Sequence, residues 1–498
     1  MVDYSSVAIL GKTFNIMDLV AFSRLVPEMV VTVSAIILLI GGVYAKSRLT
    51  DRLFLFLSIF VLASILGIMV AFPSAVGTQY FFSHMIVADG FSTAVKMLLL
   101  AATLLVLLIS DAWLVRDDNQ RFEYPVLVLF SLLGMMLMAS ANNLLALYMG
   151  LELSSLPLYV LAGFSRESLK STEAGLKYFV LGALASGMLL FGMSLVYGFA
   201  GSLDFDALAG LFKSSGSVDK GMLFGLVLVI TALCFKISAA PFHMWTPDVY
   251  EGAPTPITAF FSTAPKVAAV ALLVRVLVQP FGPMLHEWQQ IVVFVSAASM
   301  IVGAFGALMQ TNIKRLLAYS SIGHVGYALM GLAAGSEEGI SSIGVYFALY
   351  VLMSVGAFAC ILMMQRDGKA KEAISDLAGL SSRSPRMAFA LAVFMFSMAG
   401  IPPLAGFFGK LYVFLAAMHA GLVTLAVIGV LSSVVACFYY LKVVKVMYFD
   451  EPAESFDKEV PALLNLAMYI CTAVTVLFFV MPSPLINQAH IAAKALFQ

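Results

Sequence analysis

The stretch TALCFKISAAPFHMWTPDVYEGAPTPITAFFSTAPKVAAV, residues 231–270, decides how the rest of the chain is read. It places Lys236, His243 and Lys266 in otherwise apolar sequence, together with Pro241, Pro247, Pro254, Pro256 and Pro265. Proline has no backbone N–H and clashes with the preceding turn, so a helix carrying Lys236 cannot run unbroken through His243. In a bilayer, carbonyls freed by such a break are tolerated only against protein or a wet cavity. Ionisable side chains beside a broken helix at membrane depth mark an ion pathway.

Composition supports the bilayer setting. The chain has 498 residues, 61% hydrophobic and only 11% charged, where soluble domains carry roughly 25% charged residues. A span needs about 20 apolar residues. That rule predicts an all-α membrane protein of about fourteen transmembrane helices. They fall near 28–45, 53–72, 88–110, 124–140, 143–163, 172–200, 222–240, 256–279, 288–309, 316–335, 340–364, 386–419, 421–448 and 461–481. The twelfth is interrupted at Pro402-Pro403. The first 26 residues lack the basic head and short apolar core of a signal peptide. Cys234, Cys360, Cys437 and Cys471 lie far apart in apolar runs, where they read as small buried hydrophobes rather than a metal site. No glycine-rich nucleotide fingerprint follows a strand, and no soluble stretch is long enough to hold a flavin.

Odd-numbered connections carry Arg52, Arg121, Arg166 and Lys170, Lys314 and Arg315, Arg366 to Arg386, and Lys445. The others are nearly free of Lys and Arg, apart from Lys213 and Lys220. The positive-inside rule then places both termini on the outer side, with the basic connections in the cytoplasm or its equivalent; in a bacterial inner membrane that side is periplasmic. The breaks at Pro241 and at Pro402-Pro403 lie five helices apart. An odd number of spans between matching elements sets the two copies upside down. The expected architecture is therefore an inverted repeat of two five-helix halves with discontinuous helices 7 and 12. Residues 124–279 and 288–448 form the halves, with 1–110 holding helices 1–3 and 449–498 holding helix 14.

At a rise of 1.5 Å per residue, Glu152, Lys236, Lys266, His324 and Lys410 all fall near mid-membrane, with Lys177 shallower. Glu152 beside Lys236 makes a pair poised for proton exchange, since burial lowers a lysine's proton affinity and a carboxylate restores it. Blander readings stand beside this one. Lys96 and Arg275 fit structural ion pairs, Lys177 can pair with Glu173 on its own helix face, and His243 can satisfy carbonyls freed at the break. His324 can be a hydrogen-bonded core histidine, and the whole set can be a salt-bridge network of a structural spacer. A purely structural buried network is poor value for stability, because desolvation rivals the Coulomb gain.

Several stretches resemble one family. They are FK at 235–236 with PFHMWTPDVYEGAPTP at 241–256, LYMGLELSSLPLYVL around Glu152, EAGLKYFVLGALASG around Lys177, NIKRLLAYSSIGHVGY around His324 and AGIPPLAGFFGKLYVF around Lys410. Over roughly residues 88–450 the chain is similar to the antiporter-like membrane subunits of proton-translocating NADH:quinone oxidoreductase, respiratory complex I. Trp245 is followed by Thr246-Pro247-Asp248-Val249-Tyr250, which looks like the N type rather than the HTWLPDA-like segment of the L and M types and of Mrp antiporters. No C-terminal lateral helix is expected after helix 14, unlike the L type. The resemblance implies a proton relay through Glu152, Lys236, Lys266 and Lys410, with Lys177, His324 and His243 nearby. It implies no cofactor in this chain, with NADH, FMN, iron–sulfur clusters and quinone in partner subunits. It further implies membrane lipid, subunit M and the small subunits J and K as neighbours, and no nucleic acid. The alternatives are an Mrp-type Na⁺/H⁺ antiporter subunit and the membrane subunit of a related hydrogenase or plastid complex.

Overall fold

The computed structural model describes residues 6–9, 12–15, 23–45, 48–72, 77–116, 121–214, 219–457 and 460–497. Its helices run, in order, α1 (Val26–Tyr44), α2 (Arg48–Ala71), α3 (Gly90–Arg116), α4 (Glu123–Ala139), α5 (Leu144–Ala162) and α6 (Leu169–Ala200). There follow α7 (Phe205–Ser214), α8 (Lys220–Lys236), α9 (Thr246–Gly252), α10 (Thr255–Ser262), α11 (Ala264–Val278), α12 (Leu285–Leu308) and α13 (Ile313–Ala333). The chain continues with α14 (Glu337–Leu362), α15 (Leu380–Arg383), α16 (Pro385–Ala399), α17 (Ala405–His419), α18 (Val423–Phe449), α19 (Ala462–Leu477) and α20 (Ser483–Lys494). Among the described residues, eleven segments are long and apolar enough to cross a membrane, α10 and α11 counting as one. The shorter α4, the interrupted pair α16–α17 and the α8–α9 segment bring the crossings to fourteen.

Both foreseen interruptions are present. Helix α8 ends at Lys236, earlier than the expected residue 240. Ser238 turns left-handed (φ 63°), its N–H donating to the Phe235 carbonyl and that of Ala239 to Cys234. Helix α16 ends the same way: Gly400 is left-handed (φ 89°) and donates to Ser397, while Ile401 donates to Phe396. Paired 5→2 and 6→1 bonds of this kind satisfy the carbonyls that a helix end orphans. A third interruption corrects the reading of 256–279 as one unbroken helix. Pro265 cannot donate and crowds the carbonyl four residues back, so the chain kinks at Thr263 (ψ −95°) between α10 and α11. The Thr263 hydroxyl caps the Ala259 carbonyl at 2.8 Å.

The two halves repeat local details as well as helix order. Asn143 caps α5 through Leu145 N–H, and Asn312 caps α13 through Lys314 N–H, each at 2.8 Å. The Nδ2 atom of each then reaches the segment that returns after the next helix, Asp204 for Asn143 and Glu372 for Asn312. A Cβ added at Gly134 would fall 2.3 Å from the Ser154 backbone nitrogen. One at Gly303 would fall 2.4 Å from that of Gly323. Each half thus has a matching close backbone crossing, between α4 and α5 and between α12 and α13. Small residues permit such approaches, and apolar solvent rewards the packing they allow.

Helices α1–α3 are tied on by charge. Arg52 grips Asp111 with two bonds of 2.9 Å, buried Lys96 pairs with Glu28, and Arg275 on α11 grips Asp89 with two bonds of 2.9 Å. Lys96 and Arg275 are therefore the structural pairs that the bland reading allowed. Besides the short α9 and α15, two helices lie outside the expected set: α7, in the 201–221 connection, and α20, which follows the last crossing and packs on α14 and α3. Both are too short to register as spans.

Candidate functional site

Lys236, Lys266, His324 and Lys410 turn into the protein rather than toward its periphery. Lys266, His324 and Lys410 are 2%, 4% and 6% exposed, and Lys236 is largely buried. The ammonium of Lys236, in the last turn of α8, donates to Tyr159 Oη at 3.0 Å and to the hydroxyls of Ser155 (3.2 Å) and Ser186 (3.3 Å). Lys266, one residue beyond Pro265, donates to the Ser321 hydroxyl and lies 5.4 Å from the centroid of the Tyr250 ring. Tyr350 Oη donates to the same Ser321 oxygen at 2.8 Å, and its ring packs 5.0 Å from that of His324. His324 is held at both nitrogens, Nδ1 2.6 Å from Tyr346 Oη and Nε2 3.2 Å from Tyr440 Oη. Lys410 donates to Ser433 Oγ at 2.8 Å and to the Ala399 carbonyl at 2.9 Å. That carbonyl is freed by the α16 break, so the interrupted helix supplies a partner for the lysine. His324 and Lys410 line one small cavity of about 10 Å³ with Tyr327, Tyr440 and Ser320, roughly the space one water needs.

Lys266, Ser321, Tyr350, His324 and Lys410 thus form a run of polar groups within a hydroxyl-rich interior. Next to the Lys236 end of α8 the rings of Phe235, Trp245, Tyr178 and Phe261 pack as one aromatic cluster, with Tyr178 stacked on Trp245 at 4.4 Å. Trp245 Nε1 donates to the Phe235 carbonyl, another acceptor at the α8 end.

Three expectations are revised. Glu152 does not close an ion pair with Lys236: none of its oxygens lies within 4.0 Å of Nζ, and Oε1 is buried without a hydrogen-bond partner. Neutral hydroxyls from α5 and α6 take the place of the carboxylate. Lys177 is not in the central run. It bonds Glu173 at 2.7 Å, as the helix spacing suggests, and also Asp248 at 2.9 Å, on the face bearing the basic connections. His243 lies past the α8 break, half-buried, with Nδ1 unpartnered, and joins none of the lysines. Pro241 beside it is exposed.

Hydroxyls bridging between lysines are expected from the chemistry, but which hydroxyls these are is not written in any one stretch of sequence. Ser320-Ser321 preceding His324 by one helical turn was the available signal, but the three tyrosines come from α14 and α18 and are contiguous only in the fold. Asp248 and Arg315, joined at 2.7 Å, were missed. Among the described residues, no group of three or more His, Cys, Asp or Glu is placed to hold a metal ion.

An inverted repeat of broken helices around buried lysines defines the class: an antiporter-like, ion-translocating membrane subunit. The family described as "NADH:quinone oxidoreductase/Mrp antiporter, TM" matches residues 141–436. The NADH-quinone oxidoreductase subunit N of Rhodospirillum rubrum is 54% identical over 470 residues, covering 94% of this chain and 96% of that one. Respiratory complex I from Thermus thermophilus contains a chain of the same fold (TM-score 0.78, 33% identity, 93% and 98% covered). The Mrp complex from Dietzia superposes with TM-score 0.84 at 24% identity, covering 96% and 98%, a likeness of fold alone. The chain belongs to the subunit N family of NADH-quinone oxidoreductase.

Proposed function

We propose that this chain moves protons through the membrane arm of NADH:quinone oxidoreductase by way of Lys236, Lys266, His324 and Lys410, while the redox chemistry takes place in partner subunits. The single observation that carries this reading is the polar run from Lys266 through Ser321 and Tyr350 to His324 and Lys410, built inside a largely apolar molecule. Lysine suits the task because a buried ammonium gives up its proton without leaving an anion behind. Hydroxyls donate and accept alike, so each can pass a proton on and reset by rotation. Glu152, on the helix that presents Ser155 and Tyr159 to Lys236 and with one oxygen unpartnered, is the acidic member of the relay on this reading. Lys177 and His243 stand apart from the run, Lys177 at the basic face and His243 at the break.

The two halves work as units over residues 124–279 and 288–448, with helices 1–3 and the segment after 449 packed outside. NADH, FMN, iron–sulfur clusters and quinone belong to partner chains. The neighbours on this reading are subunit M and the small subunits J and K, in a bacterial inner membrane with both termini periplasmic.

The reading is tested with Lys236→Met and Lys410→Met in the assembled complex, reconstituted into vesicles. Quinone reduction and proton uptake are followed together. Translocation is expected to be lost in both variants; an assembled complex with parental proton translocation refutes the relay and favours a structural spacer.

A further inference from the structure

Superimposing the two breaks residue on residue, Ser238 with Gly400 and Pro241 with Pro403, brings Asp248 opposite Lys410 and Tyr250 opposite Tyr412. The second half thus carries a cation where the first half carries an anion. Lys410 points into the central cavity, whereas Asp248 points to the basic face and is held from both halves at once. One oxygen accepts from Lys177 of α6 at 2.9 Å and the other from Arg315 of α13 at 2.7 Å. Arg315 lies on the helix that presents Ser321 to Lys266 and His324 to Lys410.

The surrounding charges make this bridge releasable. Lys177 already has Glu173 at 2.7 Å, and Arg315 already has Glu251 at 3.1 Å. Lys170 completes the cluster, bonded to Glu251 at 3.1 Å. Three cations thus meet three carboxylates, and Lys170, Glu173, Lys177, Asp248 and Glu251 line a cavity of about 120 Å³. If the Asp248 bridge opens, Lys177 falls back on Glu173 and Arg315 on Glu251, so neither cation is stranded. A bridge whose broken state keeps its cations paired costs little to cycle, which is what a two-state element requires. A buried pair with no second partner would be locked by several kcal/mol.

We propose that Asp248 is a positioning residue for proton translocation: it links the first half, through Lys177, to the relay helix α13, through Arg315, and releases and re-forms that link during turnover. The proposal rests on the relay reading above and adds the means by which one half senses the other.

The experiment uses the whole complex in vesicles and measures protons moved per NADH oxidised. Asp248→Asn keeps the shape and removes the charge; the ratio is expected to fall by at least about twofold, because turnover proceeds without the link. Asp248→Glu restores the charge and is expected to restore most of the ratio, which a merely space-filling role would not require. An unchanged ratio in Asp248→Asn, or equal impairment in Asp248→Glu, overturns the proposal. Should Asp248→Asn fail to assemble, Glu173→Gln combined with Glu251→Gln removes the fall-back partners and leaves the bridge in place. Turnover is then expected to drop at least about threefold, and parental turnover overturns the proposal. Lys410→Met separates the two ideas. A dead Lys410→Met beside a normal Asp248→Asn sinks this inference alone, whereas a pumping Lys410→Met sinks the relay itself.

Discussion

Ser238 stands at the end of α8 in the left-handed conformation that Gly400 takes at the end of α16. Both make the paired bonds that close a helix, yet only one is the residue type the geometry favours. A left-handed L-residue costs roughly 1–2 kcal/mol. Ser238→Gly is therefore expected to raise the midpoint of thermal inactivation of the purified complex by a few degrees. Gly400→Ala should lower it. Its new Cβ would also meet Lys410 Cδ at 3.0 Å and Nζ at 3.4 Å, so translocation should fall as well. Inactivation curves and proton uptake check both; a Gly400→Ala complex equal to the parent in each would show that the break has slack.

Arg275 and Asp89 make a second kind of prediction. Their side chains are 0% and 1% exposed, and they join α11 to the start of α3 by two bonds. Removing one member leaves a bare charge in an apolar interior, a loss of about 3–5 kcal/mol. Arg275→Ala is expected to leave little intact complex on native gels. Arg275→Met with Asp89→Leu fills the space without charge and is expected to recover assembly. If Arg275→Ala assembles normally, the first three helices are held by something other than this pair.

How much of this was legible beforehand depends on how local the signal is. Hydropathy counted the crossings because a span is written in contiguous residues, and Pro241 and Pro402-Pro403 announced their breaks for the same reason. The kink at Thr263 had a written cause in Pro265, but the apolar stretch runs on through it from Thr255 to Val278, so hydropathy reads one helix there. Glu152 and Lys236 are not in direct contact, because equal depth is not contact. Which group faces Lys236 is set by how α5, α6 and α8 rotate against each other, and that rotation put Ser155, Tyr159 and Ser186 there instead. The tyrosines around His324 come from two other helices, so no reading of α13 alone could list them.

Whether the close crossings pin each half can be tested. Gly134→Ala and Gly303→Ala each drive a methyl into backbone, at 2.3 and 2.4 Å. Backbone cannot yield as a side-chain tip does, so at least the usual overpacking cost of about 1–3 kcal/mol is expected. Gly187→Ala, with nothing within 4 Å, is the matched control and is expected to be neutral or slightly stabilising, since alanine suits a helix better than glycine. Thermal inactivation of the three complexes decides it. Indistinguishable curves would mean that the helices re-space freely and the crossings are not pins.

Ser321 is the sharpest point at which to cut the relay. Its oxygen takes the bond from Lys266 and the bond from Tyr350 together, so Ser321→Ala strips the buried ammonium of its only hydrogen-bond acceptor among the described residues and leaves the face of Tyr250. A hydrogen bond to a charged group is worth roughly 1.5–3 kcal/mol, and each 1.4 kcal/mol is a factor of about ten. Translocation in Ser321→Ala is therefore expected to fall about 10- to 100-fold, and assembly to persist because the change removes one atom. Ser321→Thr keeps the hydroxyl and is expected to retain most of the rate. Tyr350→Phe removes the second link only and should fall between the two. Proton uptake in vesicles, measured beside quinone reduction, gives the order. If Ser321→Ala translocates protons as fast as Ser321→Thr, the proton leaves Lys266 by another way and the run to His324 is structural.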